Sequence, residues 1–369
     1  MKLTHLNLID YRNCGNLELK FNKSKTLIIG KNAQGKTNIL ESIYFLSALK
    51  SARTTNITEL IKFSRPYFKI DSKIIKANTE IDLSYSYNTE KKREIKINNL
   101  KSNVKDFKSV LTTVLFSSSD LLLLRGTPQD RRTWLDCAIS QIYPIYDDKL
   151  SKYDKIRIQK NNFLKEYSKS GKFDQNLFDV YNEQLSVTGS NIIFIRLKYL
   201  KEIERIAKEK HRTISETEEL SLYYDCNFLD SKNIEGIEQI QGAFLEALAQ
   251  RKEEEIRRCQ ACVGPHRDDI VFTINNKEAT KFASQGQQRT VVLALKLSEL
   301  DIITDKTGDE PILLLDDVLA ELDDIRQNYL LKSINSKTQT IITSVDTILF
   351  EDEFLKDVEI FKIENGEIV

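Results

Sequence analysis

The chain opens in alternation. Leu6 and Leu8 stand between polar neighbours, and Leu17, Leu19 and Phe21 do the same beyond the turn residues Asn13 to Asn16. A period of two predicts half-buried strands. Thr26 to Ile29 is a short apolar run that stops at Gly30, the pattern of a strand buried on both faces. From Lys36 the period changes. Ile39, Leu40, Ile43 and Leu46 recur at helical steps, which predicts a helix with one apolar face. Residues 67–120 return to alternation, with Tyr85, Tyr87, Ile95 and Ile97 between polar residues. Thr127-Pro128-Gln129-Asp130 then places a capping hydroxyl, a proline and an acid ahead of Trp134, Leu135, Ala138 and Ile139, a helix start.

From there to about residue 210 the spacing is helical and rich in charge. Leu177, Tyr181, Leu185, Ile192, Ile195, Tyr199, Ile203 and Ile206 form one stripe, with a break expected at Gly189. The stripe reads as core between helices, and a helix there is roughly 50 Å at most. That implies a compact lobe, not a long coiled-coil arm. Residues 220–228 predict a strand and 235–259 another helix. Ile312–Leu315, Thr340–Thr343 and Val358–Ile363 are apolar runs of strand length. Buried strands near both ends predict one α/β domain assembled from the two ends of the chain, with a helical insert between. The expected division is 1–125 plus 258–369 for the α/β part and 126–257 for the insert.

Composition adds limits. Hydrophobic residues make up 40% and charged residues 30% of 369, as in ordinary soluble globular proteins. No stretch approaches the ~20 apolar residues of a membrane span, and Met1 to Asp10 lacks the pattern of a signal peptide. A cytoplasmic protein without membrane contact is expected. Lys+Arg and Asp+Glu number 55 each, so any nucleic-acid binding must use a local patch. Two segments qualify. Lys91 to Lys108 holds seven basic residues against Glu94 and Asp106. Lys149 to Lys172 holds eight against Asp154 and Glu166, with Tyr153, Phe163 and Tyr167 interleaved. Either could hold phosphates or simply solvate a face. The odd set of five cysteines implies reduced thiols. Cys259 and Cys262 have only His266 nearby, too few ligands for structural zinc.

The strongest chemical signal is Gly30-Lys31-Asn32-Ala33-Gln34-Gly35-Lys36-Thr37. It fits the phosphate-binding pattern G-x-x-x-x-G-K-[ST], and it lies between a predicted strand and a predicted helix. Backbone N–H groups of such a loop face phosphate oxygens. Lys36 reaches the β and γ phosphates of ATP, and Thr37 offers its hydroxyl to Mg²⁺. Ile312 to Leu315 delivers Asp316 and Asp317 to a strand end, where Asp316 can hold Mg²⁺ and Asp317 can orient water. Two further segments follow this pattern of chemistry. Ser284-Gln285-Gly286-Gln287-Gln288 precedes an apolar helix from Val291 to Ile303 and makes a second anion site. Ala320-Glu321-Leu322-Asp323 lies just beyond the acids. His266-Arg267-Asp268-Asp269 has no accompanying nucleophile or metal spacing, and reads as a structural or domain-coupling loop.

Segments 284–288 and 320–323 resemble the signature and D-loop of ABC-type ATPases. The full set is more specific. Tyr11-Arg12-Asn13, Gly35 to Ile43, Ser51-Ala52-Arg53, Gly126-Thr127-Pro128, Gly264-Pro265-His266-Arg267-Asp268-Asp269 and Phe282 to Thr290 occur in the order seen in the RecF family, bacterial recombination mediators related to SMC proteins. The match runs nearly end to end. The resemblance implies an α/β fold: an ABC-type ATPase head with mixed sheets, plus an inserted helical lobe. It implies that Arg12 and Asn38 join the phosphate loop around ATP. It also implies that Ser284, Gly286, Gln287 and Asp323 complete the site of a second copy in an ATP-driven homodimer. Duplex DNA at gaps or junctions, and RecR, RecO and RecA, are the partners it implies.

Some positions depart from the pattern. Phe116-Ser117-Ser118-Ser119-Asp120 lacks a proline usual before the acid. Asp317 stands where most ABC proteins have glutamate, so slow turnover is expected. Thr343-Ser344 occupies the place of the switch histidine. A nucleotide-gated docking protein and a small-molecule phosphotransferase are the competing readings. The second anion site and the segment 320–323 count against the transferase.

Overall fold

A computed structural model describes residues 1–231, 234, 236–334 and 337–369. The chain divides into two compact units, 1–120 with 292–369, and 121–291. In chain order the first part of unit 1 contains β1 (Lys2–Tyr11), β2 (Cys14–Lys20), β3 (Lys25–Ile29), α1 (Lys36–Ala48), β4 (Tyr67–Lys76), β5 (Thr79–Asn88), β6 (Arg93–Ile97), β7 (Leu100–Lys101), α2 (Val104–Lys108) and β8 (Thr113–Ser117). Then come α3 (Leu122–Arg125), α4 (Pro128–Ile142), α5 (Ile145–Ser170), α6 (Gln175–Ile214), β9 (Leu220–Asp225), α7 (Ile237–Gln250), α8 (Lys252–Arg258), β10 (Asp269–Ile274), β11 (Lys277–Glu278), α9 (Ala279–Phe282) and α10 (Gln285–Thr307). Unit 1 resumes within α10, at 292, and continues with β12 (Ile312–Asp316), α11 (Asp324–Ser333), β13 (Thr340–Ser344), α12 (Asp352–Lys356), β14 (Val358–Glu364) and β15 (Glu367–Ile368).

The alternating strands of unit 1 form an antiparallel sheet in the order β2-β1-β4-β5-β6-β7. The apolar strands form the second sheet, β15-β14-β3-β13-β12-β8, in which β3 pairs in parallel with both β13 and β14. A continuous apolar run suits a strand covered on both faces, and β12 is buried from Ile312 to Leu315. Leu6, Leu8, Leu40, Ile43, Phe68, Leu314, Ile341 and Ile363 share one core, so the two chain ends build a single domain, as the apolar runs predicted.

Unit 2 is mainly helical, with a small sheet β11-β10-β9. The predicted start at Thr127 is a capping box: Asp130 accepts from the Thr127 N–H, with Pro128 in the first turn. Three expectations change here. Residues 258–291 were expected with the head, but β10 pairs with β9 along its length and holds this segment in unit 2. The expected break at Gly189 is absent, because α6 runs without interruption for 40 residues, ~60 Å, longer than expected. Gly189 serves packing instead. A Cβ there would lie 2.4 Å from the Phe244 ring and 3.1 Å from that of Tyr153. The helix expected over 235–259 is two, α7 and α8, separated at Arg251; residue 235 lies outside the described residues. Among the described residues, no helix is long and apolar enough to cross a membrane.

Candidate functional site

The phosphate-loop sequence folds as its glycines require. Gly35, at φ 112°, caps the start of α1, and a Cβ there would lie 2.8 Å from the Asn13 side chain. Gly30 approaches the backbone of β14, and a Cβ there would lie 2.3 Å from the Ile363 carbonyl oxygen. Asn32, Ala33, Gln34, Gly35, Lys36, Thr37 and Asn38 line a cleft of about 350 Å³ together with Asn13, Arg53 and Asp317. Lys36 is buried, and its Nζ donates to the carbonyls of Gly30 (2.7 Å) and Lys31 (3.3 Å). The ammonium is thus held by the loop whose phosphates it would meet.

β12 brings the two acids alongside. Thr37 Oγ1 donates to Asp316 Oδ1 (2.9 Å), and Thr343 Oγ1 donates to the same oxygen (2.8 Å). Thr343 Oγ1 also accepts the N–H of Asp317 (2.9 Å). Thr343 therefore ties the two acids together. Burial raises the pKa of Asp316, against the hydrogen bonds from Thr343 and Thr37. Asp317 sits in the left-handed region at φ 53°, uncommon for a non-glycine residue and a feature that clusters at functional sites. Thr37 and Asp316 form a hard oxygen pair of the kind Mg²⁺ takes.

Other expected site residues lie elsewhere. Arg12 is not among the residues lining the cleft. Its Nε and Nη2 bind both oxygens of Glu41 (2.9 and 2.7 Å), and Nη1 donates to the Glu59 carbonyl (3.1 Å). This bidentate pair holds the guanidinium in place against Glu41. Arg53 reaches the cleft instead, donating to Asn38 Oδ1 (2.8 Å), while Asn38 Nδ2 donates to Asn13 Oδ1 (2.8 Å). Asn13 and Arg53 stand in segments the sequence singled out, but no spacing rule assigned them a role. Asp323 caps α11 by accepting from the Arg326 N–H (3.0 Å). Ser284, Gly286 and Gln287 belong to unit 2. Ser284 and Gln287 form a capping box at the start of α10: Ser284 Oγ accepts from Gln287 N (3.2 Å), and Gln287 Oε1 accepts from Ser284 N (2.7 Å). The loop that lacks the proline is closed by Asp120, which accepts from Ser117 N (2.7 Å) and pairs with Lys296 (3.0 Å).

The basic patches look different once folded. Tyr153 is buried, and Phe163 packs among Phe173, Phe178 and Tyr181, so these rings are spent on the core of unit 2. Lys160 is fully buried. Lys152, Lys155 and Lys169 remain exposed. In the other patch Lys92 pairs with Glu90 and Lys96 with Glu94.

The loop 264–269 is a structural hub. Arg196 binds Asp136 through two bonds of 2.9 Å and donates to the Pro265 carbonyl (2.7 Å). Asp268 accepts from the Tyr224 hydroxyl (2.7 Å), and Arg131 grips both oxygens of Asp269 (2.7 and 2.8 Å). The Ala261 carbonyl can only accept, so His266 Nε2 carries the proton and Nδ1 accepts from Tyr153 (2.7 Å). Burial pushes the His266 imidazole down to about 3. Its contribution to stability is full above pH ~6.5 and is lost as pH falls towards 3. Burial pushes Asp268 up to about 6, with the opposite sign: its contribution is full below pH ~3.8 and is lost as pH rises to 6. The two slopes offset between pH 6 and 4. His266→Asn should unmask Asp268: between pH 7 and 5, its stability relative to the parent should rise by about 2 kcal/mol. Denaturation followed by Trp134, the one tryptophan, reads unit 2 directly. Parallel curves for the two proteins would sink this account. Among the described residues, no group of three or more His, Cys, Asp or Glu could hold a metal ion.

Known proteins resemble this chain along its whole length. The family model described as RecF/RecN/SMC N terminal domain matches residues 2–368. DNA replication and repair protein RecF of Bacillus subtilis (strain 168) is 39% identical over 371 residues, covering 100% of both chains. That of Staphylococcus carnosus (strain TM300) is 38% identical over 374 residues, again covering 100% of both. A solved recombination mediator RecF-ATP of the RecFOR pathway is 33% identical, with a TM-score of 0.92, covering 100% of this chain and 96% of that one. An Smc head bound to part of ScpA shares the fold at a TM-score of 0.56 and 15% identity, over 100% of this chain and 97% of that one. The fold is that of an ABC-type ATPase head. With a family model along almost its whole length and relatives of matching length at this identity, the chain belongs to the RecF family.

Proposed function

We propose that this chain is an ATP-driven, DNA-binding switch acting in DNA repair, recombination and replication. The observation that carries the reading is the phosphate-loop cleft lined by Lys36, Thr37 and Asp317, with Asp316 hydrogen-bonded to Thr37. Lys36 would turn its ammonium to the β and γ phosphates, and the loop N–H groups would hold the remaining charge. Thr37 and Asp316 would hold Mg²⁺, which neutralises phosphate charge. Asp317, held by its left-handed backbone and by Thr343, would orient the attacking water. It has one methylene fewer than glutamate, consistent with slow hydrolysis.

The capping box at Ser284 leaves a helix N-terminus for the γ-phosphate bound to a second copy. ATP would thus close a homodimer, and slow hydrolysis would reset it. The dimer would hold duplex DNA at gaps or junctions and help RecR and RecO place RecA. A RecF name on relatives of equal length, and a RecF solved with ATP, support this reading.

The test is ATP hydrolysis per chain against protein concentration, with and without gapped duplex. The rate should rise with concentration and with DNA. Ser284→Arg should keep ATP binding yet lose ATP-driven dimers on sizing. Normal dimers from that variant would refute action in trans, and a constant rate indifferent to DNA would refute the switch.

A further inference from the structure

The turn of the β14–β15 hairpin bonds to one residue of the phosphate loop, Gln34. Its two-residue turn is Asn365-Gly366, with φ values of 51° and 80° and flanking pairs Ile363–Ile368 and Glu364–Glu367. Consecutive positive φ values mark a tight turn of the mirror-image kind that Asn-Gly favours. Both N–H groups of the turn point at Gln34. Asn365 N donates to Gln34 Oε1 (2.6 Å), and Gly366 N donates to the Gln34 carbonyl (2.9 Å). Asn13 Nδ2 donates to the same carbonyl (3.1 Å). Two donors thus occupy both lone pairs of that oxygen.

Peptide planarity gives the consequence. In a trans peptide the C=O and the next N–H point to opposite sides. Pinning the Gln34 carbonyl against the hairpin fixes the Gly35 N–H to face away from it. Gly35 lines the cleft and caps the start of α1, where loop N–H groups serve an anion. The hairpin fits this place closely. A Cβ on Gly366 would lie 2.9 Å from the Asn13 carbonyl oxygen, and one on Gly30 would lie 2.3 Å from the Ile363 oxygen.

We infer that the Asn365-Gly366 turn is a positioning element of the nucleotide site, which sets the orientation of the Gln34–Gly35 peptide for phosphate. This rests on reading the cleft as the ATP site. Unlike the lysine and the acids, the turn would not touch the ligand. Its effect is to pre-orient a donor, so its loss should weaken phosphate binding more than it weakens the fold.

The experiment is equilibrium titration of the full chain with Mg-ATP, alongside thermal unfolding. Gly366→Val places a branched side chain at φ 80° and against Asn13, and should raise the ATP dissociation constant about tenfold, the equivalent of a lost hydrogen bond. Gly308→Val is the control. It carries the same backbone strain at φ 73° in the same unit, with nothing within 4 Å of the added Cβ. It should lower the melting temperature and leave the dissociation constant within about twofold. Should Gly366→Val fail to fold, Gln34→Met removes the Asn365 acceptor without straining the turn and should raise the constant about threefold. Equal weakening by Gly308→Val and Gly366→Val, or unchanged binding by Gly366→Val or Gln34→Met, would overturn the inference. If Lys36→Met also binds ATP normally, the reading of the cleft has failed and the inference falls with it. If Lys36→Met fails and the turn variants bind normally, the inference alone falls.

Discussion

Lys36→Met should lower ATP affinity by about a hundredfold or more, with little change in the unfolding of the chain. The side chain is 4% exposed, and its ammonium lies on the Gly30 and Lys31 carbonyls. Methionine matches the stem but has neither charge nor donor. The variant loses a charge-assisted contact to phosphate, ordinarily worth about 1.5–3 kcal/mol. It also leaves two loop carbonyls without their donor, which loosens the loop around the remaining N–H groups. Together these exceed the ~2.7 kcal/mol that a hundredfold change represents. Calorimetric titration with Mg-ATP measures it. Because Met is apolar and of similar length, it should pack in place, so denaturation should shift by no more than about 1 kcal/mol. Binding within about threefold of the parent would mean that the cleft does not use Lys36 for phosphate, and the proposed chemistry would be lost.

Lys160→Met should strongly destabilise unit 2. Lys160 and Glu255 form an ion pair in which both side chains are fully buried. Lys160 Nζ also donates to Asn182 Oδ1 (2.6 Å) and lies 4.8 Å from the centre of the Phe178 ring. Glu255 Oε1 accepts from the Cys262 N–H (2.8 Å), which anchors the chain just after α8. Burial pulls the pKa of the ammonium down, and Glu255 pulls it back up. Removing the lysine alone strands a carboxylate in a dry site, at a cost of about 3–5 kcal/mol. Lys160→Met with Glu255→Gln should recover most of that, since no charge remains and the amide oxygen still accepts from Cys262. Denaturant titrations read by Trp134 fluorescence test both variants. A cost below about 1 kcal/mol for the single variant would mean that the site relaxes or admits water.

This pair also shows where reading a sequence stops. As a string, Lys149 to Lys172 is a basic stretch with aromatic residues, a fair candidate for a nucleic-acid surface. Folded, its turns separate into faces. Tyr153, Ile156, Lys160 and Leu164 lie on the inner face at helical spacing, and Lys152, Lys155 and Lys169 on the outer. The period was visible in the sequence, but a charged residue on the apolar face reads as an interruption until its partner is known. That partner, Glu255, is 95 residues away.

The phosphate-loop pattern and the element types were legible because both are local. A phosphate loop needs glycines, a lysine and a hydroxyl at fixed short spacing. A capping box needs a hydroxyl and an acid three apart, as at Thr127 and Asp130. A strand buried on both faces needs an unbroken apolar run, as at Ile312 to Leu315. Each of these is set by backbone geometry within a few residues, so the sequence alone determined them. The joining of both chain ends into one domain was also legible, since short buried strands cannot stand without neighbours.

Tertiary structure decided the rest. It placed Glu41 against Arg12 and set Arg53 and Asn13 in the lining of the cleft. It made Gly189 a packing contact for Phe244 rather than a helix break. It held 258–291 in unit 2 through the pairing of β10 with β9. It set a hairpin turn at 365–366 against Gln34, 331 residues earlier. In each case the partner is chosen by shape, burial and unsatisfied polar groups across a long loop of chain. Such choices leave no local signature, because the residues that satisfy one another are neighbours only after the sheets and helices have closed around a core.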